Sequence, residues 1–187
     1  MSGEAYTSSE DSSLLRSALH GLSGESCLEI GAGNCGNLLE LRKLFEVAVG
    51  TDLLRPTTSD WRGKGIEFVL ADAASCFRPD TFDLVTFNPP YLAVEVSNDR
   101  AVEGGRGLEV PKAFLREALR TVKQPGRIVF LLNDEASVGE FEEMCSKRSF
   151  ELKRLAVRRM FFEELTVYAA APRDSASAGR PARPDLS

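Results

Sequence analysis

The chain has 187 residues, which is about the size of one domain. Its composition, 43% hydrophobic and 27% charged, is typical of a globular protein. The formal net charge of −5 disfavours a nucleic-acid substrate, because proteins that bind a phosphate backbone usually carry excess positive charge. The apolar runs are too short to span a bilayer, and the first residues lack the basic start and apolar stretch of a signal peptide. We therefore expect a cytoplasmic protein that does not contact membranes.

The cysteines are unclustered, and the single histidine is His20. No Cys-x-x-Cys pair occurs, so the spacing that a zinc site requires is missing and we expect no metal site. Free cysteines that pack as small core residues are typical of a reducing compartment. The four cysteines are Cys27, Cys35, Cys76 and Cys145.

Strands and helices alternate along the chain between two polar ends. Residues 1–9 are predicted to be a flexible N-terminal segment, and residues 172–187, rich in Pro, Ser, Ala and Arg, a disordered tail. The part between them, residues 10–171, is predicted to form a single domain. Apolar residues at helical spacing predict helices in the regions 14–19, 38–45, 108–122 and 138–145.

Seven short apolar segments have the composition of strands. They are Ser26–Ile30, Val47–Thr51, Ile66–Ala71, Leu84–Phe87, Ile128–Leu132, Phe150–Arg159 and Leu165–Ala170. Alternation of strands with helices predicts an α/β, Rossmann-like fold: a mostly parallel seven-stranded sheet with helices on both faces. The last two strands have no helix between them, so they should form an antiparallel C-terminal hairpin at one edge.

A glycine-rich turn follows the first strand. Gly31-x-Gly33-x-x-Gly36 opens a helix, as in a dinucleotide-binding fingerprint, and glycine lets the backbone approach a ligand closely. Asp52 ends the second strand, where a carboxylate can accept both hydroxyls of a ribose. Asp72 ends the third strand, near the expected position of an adenine amino group. These residues predict a nucleoside-containing cofactor.

Glu29 stands one position before the glycine turn. A carboxylate there would repel the pyrophosphate of NAD, whereas a cofactor with a cationic end would be favoured. S-adenosyl-L-methionine carries an ammonium and a sulfonium and no phosphate, so Glu29 favours a methyltransferase over a dehydrogenase. The alternative is that Glu29 caps the turn through backbone amides.

The sequence Asn88-Pro89-Pro90-Tyr91 follows the fourth strand directly. Each proline disfavours the helical region for the residue before it, so the backbone here should be stiff and extended. The Asn88 side-chain carbonyl and the Pro89 main-chain carbonyl could then each accept a hydrogen from one substrate –NH₂ group. Tyr91 could stack on a flat amide or base. The alternative is a surface turn.

The glycine turn together with Asn88–Tyr91 resembles the signature of the amino-methyltransferases, which include HemK-type protein glutamine N5-methyltransferases and nucleic-acid methyltransferases. Two further stretches, "YTSSEDSSLL" at Tyr6–Leu15 and "GGRGLEV" at Gly104–Val110, resemble segments of the short eukaryotic and archaeal HemK-like enzymes. The absence of a separate N-terminal domain also fits this branch. The resemblance covers roughly Tyr6 to Ala171 and implies the class I methyltransferase fold.

The resemblance implies a release factor glutamine methyltransferase that methylates the Gly-Gly-Gln loop of class 1 translation release factors. It further implies a heterodimer with a small zinc-binding activator, which supplies a strand to an edge of the sheet. The residues implied to bind S-adenosyl-L-methionine are Tyr6, Ser12, Glu29, Gly31, Ala32, Gly33, Asp52, Leu53, Asp72, Ala73 and Asn88. Those implied to hold the target nitrogen and the substrate are Asn88, Pro89, Pro90, Tyr91 and Arg106.

The edge strand gives an independent reason to expect a partner. In this strand order Ile66–Ala71 lies at an edge, and it is apolar apart from Glu67. An exposed apolar edge favours pairing with another chain unless something covers it. We therefore expect the activator to pair with Ile66–Ala71.

Three other functions are compatible with the same residues. The chain could methylate adenine N6 or guanine N2 in a nucleic acid, it could methylate a protein lysine, or it could be a silent subunit that retains the fold. A nucleic-acid enzyme should have a basic groove beside Asn88, and acidic residues outnumber the basic ones in that stretch. Arg106, in the long connection after the tetrad, either lines the substrate pocket or belongs to an ordinary linker.

Overall fold

The computed structural model describes residues 9–90, 108–133, 138–159 and 164–173. Within them, seven strands form one sheet and four helices cover its faces. The helices are α1 (Ser9–Leu19), α2 (Gly36–Leu41), α3 (Glu109–Thr121) and α4 (Val138–Ser146). The strands are β1 (Gly24–Ile30), β2 (Phe45–Asp52), β3 (Ile66–Leu70), β4 (Phe82–Phe87), β5 (Val122–Asn133), β6 (Phe150–Arg159) and β7 (Glu164–Pro172).

The strand order is β3-β2-β1-β4-β5-β7-β6. The first five strands in this order pair in parallel, whereas β7 pairs antiparallel with both β5 and β6. The predicted α/β fold, with its antiparallel C-terminal hairpin at one edge, is therefore confirmed. The prediction that the third strand is an edge strand is also confirmed.

Two apolar layers hold the helices against the sheet. On one face, α3 and α4 pack on the apolar side chains of the central strands, and the ring of Phe130 lies between those of Phe87 and Phe141. On the other face, α1 and α2 contribute leucines such as Leu15 and Leu38, which are fully buried. Since both faces are covered, the central strands are apolar on both sides, as parallel strands usually are.

Two local predictions need correction. The helix expected to continue to Leu44 and Phe45 ends at Leu41, because Leu44 N–H bonds back to Leu41 O in a tight turn, and Phe45 already begins β2. The turn predicted before the fifth strand lies inside β5: Phe82 pairs with Val122 and Leu84 with Arg127, so residues 123–126 bulge from the ladder. Hydrophobic spacing alone could not place either boundary.

None of the helices in the described residues is long and apolar enough to cross a membrane.

Candidate active site

The chain crosses from one side of β1 to the other at the centre of the sheet. β3 lies at the far edge beyond β2, and the next strand, β4, pairs with β1 on its opposite side. In open α/β sheets the strand ends at such a switch point form a crevice in which ligands bind. The glycine turn after β1 and the Asn88 segment after β4 both lie there.

The glycine turn adopts left-handed backbone where the sequence predicts freedom of φ. Gly31 has φ 71° and Gly33 has φ 51°. A Cβ at Gly31 would lie 3.1 Å from the Phe114 ring of α3, whereas one at Gly33 would meet nothing within 4 Å. The third left-handed residue of the turn is Cys35, with φ 63°, and not Gly36. Open space above Gly33 leaves room for a ligand close to the backbone.

Asp52 ties the glycine turn to the end of β2. Its Oδ2 accepts a hydrogen bond from Gly33 N–H and its Oδ1 accepts one from Leu54 N–H, both at 3.0 Å. Leu53 and Leu54 are 70% and 76% exposed. A carboxylate has about four lone-pair sites, so Asp52 retains acceptor capacity for a ligand. The sequence pointed to Asp52 as a ligand group but not to its role in holding the turn.

Asp72 and Ala73 reach the same end of the sheet through β3. Asp52 pairs with Leu70, and Ala71 N–H donates to Asp52 O at 3.0 Å, so the chain after β3 stays beside the end of β2. Asp72 is exposed. Ala73 has φ 46°, an uncommon left-handed conformation for a residue other than glycine. Such backbone is typical of turns and of functional sites.

Glu29 is a buried acid, only 3% exposed, at the carboxyl end of β1. Its Oε1 accepts a hydrogen bond of 2.7 Å from Asn37 Nδ2, and its Oε2 has no hydrogen-bond partner among the described residues. Burial raises the pKa of Glu29 to about 8, against the opposing effects of the Asn37 bond, Arg16 and the Leu38 main chain. The Glu29 carboxyl therefore interacts with both a side-chain amide and a main-chain amide of α2.

Asn37 is a residue that sequence reasoning missed. It lies in the first turn of α2, is 7% exposed, and donates a hydrogen bond to the buried Glu29. Its spacing from Glu29 carries no known signature, so only a search for polar residues on the buried side of α2 could have found it.

Asn88 follows β4 immediately, and the last pair of the β1–β4 ladder is Ile30 with Phe87. The Asn88 Oδ1 atom is buried without a hydrogen-bond partner among the described residues. Pro89 is buried and Pro90 is exposed. The Phe87 ring stacks on Phe130 with centroids 4.8 Å apart, which anchors the strand before Asn88. The site therefore holds an unused amide acceptor on rigid backbone.

Not all of the residues expected at the site fall within the described residues. Tyr6, Tyr91 and Arg106 lie outside the described residues. Ser12 is described and lies half-buried in α1, where its carbonyl oxygen accepts a hydrogen bond from Arg16 Nε at 3.0 Å. The remaining expected residues meet at the carboxyl ends of β1 to β4.

Comparison with known proteins gives matches in both sequence and structure. A Methanocaldococcus jannaschii protein named as a candidate protein N5-glutamine methyltransferase is 28% identical over 89% of this chain and 91% of that protein. A chain of the E. cuniculi Mtq2–Trm112 complex, responsible for methylation of the eRF1 translation termination factor, is 26% identical. Its TM-score is 0.70, and the match covers 89% of this chain and 98% of that chain.

A Thermus thermophilus 16S rRNA N2 G1207 methyltransferase, solved with AdoMet and guanosine, has a TM-score of 0.64 and 23% identity. That match covers 91% of this chain and 45% of that one, and it shows the fold alone. No protein-family model matches the chain.

The strand order, the central switch point and these structural relatives give the chain the fold of the class I S-adenosyl-methionine methyltransferases. Over nearly its whole length the chain is similar, in sequence and structure, to a protein named as an N5-glutamine methyltransferase and to a chain of a complex that methylates a translation termination factor.

Proposed function

We propose that this protein methylates the side-chain amide nitrogen of the glutamine in the Gly-Gly-Gln loop of a class 1 translation release factor. It works in the cytoplasm as the catalytic subunit of a heterodimer with a small zinc-binding activator. The observation that carries the proposal is the buried, unpartnered Oδ1 of Asn88 at the end of a central strand, an acceptor available for a substrate N–H. The names of the M. jannaschii and E. cuniculi proteins support the substrate class.

The described residues fit S-adenosyl-L-methionine as the methyl donor. Glu29 offers a buried carboxyl oxygen without a partner to a cationic group, and the space above Gly33 is open. Asp52 would accept the ribose hydroxyls, while Asp72 and Ala73 would contact the adenine. Ala32 and Leu53 complete the main-chain wall beside Gly31. The cofactor supplies an electrophilic methyl group on a sulfonium.

Asn88 and Pro89 would orient the nucleophile. The Asn88 Oδ1 atom and the Pro89 carbonyl would each accept one hydrogen of the substrate amide and so orient its nitrogen toward the methyl donor. The cofactor would supply the methyl group, and the nitrogen would lose one proton to solvent. No strong base is required, because catalysis comes mostly from positioning, which can supply roughly 7–11 kcal/mol. Pro90, Tyr91 and Arg106 would line the substrate, and Tyr6 and Ser12 would close the cofactor site.

The first prediction concerns the substrate. With labelled cofactor and the activator present, we expect the chain to transfer label to a Gly-Gly-Gln release factor and not to the same factor with Gln→Ala. Incorporation is measured after separation of the proteins. Equal labelling of both factors would exclude the glutamine as the methyl acceptor. Labelling confined to a lysine or to added RNA would identify one of the other acceptors.

The second prediction concerns the partner surface at the β3 edge. Leu70 is 47% exposed at the end of this strand, beside the exposed Leu53 and Leu54. A strand supplied by the activator would cover it and remove the unpaired edge. We expect Leu70→Lys to weaken the heterodimer on the order of tenfold or more, measured by titration calorimetry, since burial of a lysine head without a partner is costly.

Val157 provides the matched control for that experiment. It is 40% exposed on β6, the edge strand at the opposite end of the sheet. Val157→Lys should leave the affinity for the activator unchanged. If both variants weakened the heterodimer equally, or neither did, the β3 edge would not be the site of pairing.

A further inference from the structure

Three buried polar side chains meet on one face of the sheet below the glycine turn. Glu29, Asn37 and Thr86 are 3%, 7% and 0% exposed. Glu29 and Thr86 are register partners in the parallel β1–β4 ladder, so their side chains point to the same face as neighbours. Asn37 lies on α2, which packs on the same face of the sheet, and donates to Glu29 Oε1 at 2.7 Å.

Each of the three side chains keeps one oxygen without a hydrogen-bond partner among the described residues: Glu29 Oε2, Asn37 Oδ1 and Thr86 Oγ1. Buried polar atoms are rarely left unpaired in native proteins, so a group of three at one place marks a position for a ligand or an ion. All three are oxygens that can accept a hydrogen bond. Together they suit a group that has three donors and a positive charge.

On the β2 side, no side chain lies next to the Glu29 carboxyl in the ladder. The register partner of Glu29 on β2 is Gly50, which has no side chain. A Cβ at Gly50 would lie 2.5 Å from Leu38 Cδ1, so the apolar side of α2 occupies that space. The polar environment of the Glu29 carboxyl therefore comes from the Asn37 side and the Thr86 side.

We propose that Asn37 and Thr86 are positioning residues for the cofactor's ammonium group. Asn37 fixes Glu29 through Oε1, and the ammonium donates one hydrogen to each of Glu29 Oε2, Asn37 Oδ1 and Thr86 Oγ1. The inference rests on the proposed function, because it assumes a cofactor with an aminocarboxylate end. It adds two residues that the motif around Gly31 does not contain.

The charged and titratable groups around Glu29 predict how binding depends on pH. Arg16 on α1 lowers its pKa and Asp52 on β2 raises it, while the nearby thiols of Cys27 and Cys35 have pKa values raised to about 12 and stay neutral. An ammonium is bound best by ionised Glu29, whose pKa is about 8 in the unliganded protein. The affinity of the site for the ammonium group should therefore rise with pH up to about 8. Loss of the Asn37 hydrogen bond, which lowers the pKa of Glu29, should shift this increase in affinity to higher pH.

The test compares two ligands by titration calorimetry. S-adenosyl-homocysteine carries the ammonium, whereas 5′-methylthioadenosine has the same nucleoside without it. We expect Asn37→Leu to weaken S-adenosyl-homocysteine roughly tenfold or more, and Thr86→Val severalfold, with little change for methylthioadenosine. The pH profile for S-adenosyl-homocysteine should shift upward in Asn37→Leu, which a merely structural role would not cause.

Thr51→Val is the matched control for Thr86→Val. Thr51 is also 0% exposed with an unpartnered hydroxyl, but it pairs with Ile30 and so lies on the opposite face from Glu29. It should not change the ratio of the two affinities. Thermal melting establishes that each variant folds, and the two valine substitutions preserve side-chain volume.

Equal weakening of both ligands, an unshifted pH profile, or equal effects of Thr51→Val and Thr86→Val would overturn the proposal. If the unaltered protein bound neither ligand, the proposed function itself would be wrong. If the unaltered protein bound both ligands and neither Asn37→Leu nor Thr86→Val changed either affinity, only the role of Asn37 and Thr86 would be refuted.

Discussion

Replacement of Asn88 by alanine is expected to lower kcat on the order of 10²–10³-fold while the Kd for the cofactor changes little. This magnitude is typical of the removal of one preorganised hydrogen-bonding group from an active site. The Asn88 Oδ1 atom has no partner among the described residues, so its loss breaks no hydrogen bond within that part of the chain. The effect should fall on the step in which the substrate nitrogen is oriented.

Single-turnover rates and calorimetry with S-adenosyl-homocysteine separate the two quantities. Asp52→Ala is the contrasting variant, because it removes the acceptor of the Gly33 and Leu54 N–H bonds and should weaken cofactor binding first. If Asn88→Ala lost cofactor affinity and kept its single-turnover rate, the role of Asn88 as acceptor for the substrate would be wrong.

Replacement of Glu29 by glutamine is expected to stabilise the unliganded protein at pH 9 by about 3–5 kcal/mol and to have almost no effect at pH 4. The pKa of Glu29 rises from 4.5 to about 8 on folding because the side chain is buried. Below pH 4.5 the Glu29 carboxyl is protonated in both the folded and the unfolded protein. Between pH 4.5 and about 8 it is ionised in the unfolded chain but still protonated in the folded chain, so the free energy of unfolding falls as the pH rises. Above about pH 8 this loss of stability is complete.

Urea unfolding of both proteins across this pH range measures the difference in the free energy of unfolding. Glutamine at position 29 can still accept the hydrogen bond from Asn37, so packing is preserved. Glu46→Gln, at an exposed position on β2, is the control for the chemical change itself. A difference between Glu29→Gln and the unaltered protein that is constant with pH would show that the pKa of Glu29 does not change on folding.

The chemistry of the site is largely encoded in short segments. Gly31 and Asn88 each follow a strand directly, Asp52 is the last residue of β2, and Asp72 lies two residues after β3. In a mostly parallel sheet these strand ends meet at one edge. Local sequence patterns are enough to predict where these residues lie. Strands, helices and turns are each recognised from the spacing and type of neighbouring residues. The roles of these residues toward cofactor and substrate stay predictions.

Other features depend on contacts between distant segments. The partner of Glu29 is Asn37, on a helix that ends at Leu41 because the chain must turn there to enter β2. The Asp52 carboxylate is partly occupied by the Gly33 and Leu54 amides. No spacing rule encodes these bonds, since they arise when the helix packs on the sheet.

The sequence by itself determined the α/β fold, the edge position of the third strand and the segments that carry the candidate chemistry. These follow from hydrophobic periodicity and from residues whose backbone preferences are local. Only the tertiary structure decided which buried oxygens remain unpaired and how strongly burial changes the pKa of Glu29. Desolvation and hydrogen bonding depend on everything that packs around an atom, and that surrounding is assembled from several distant parts of the chain.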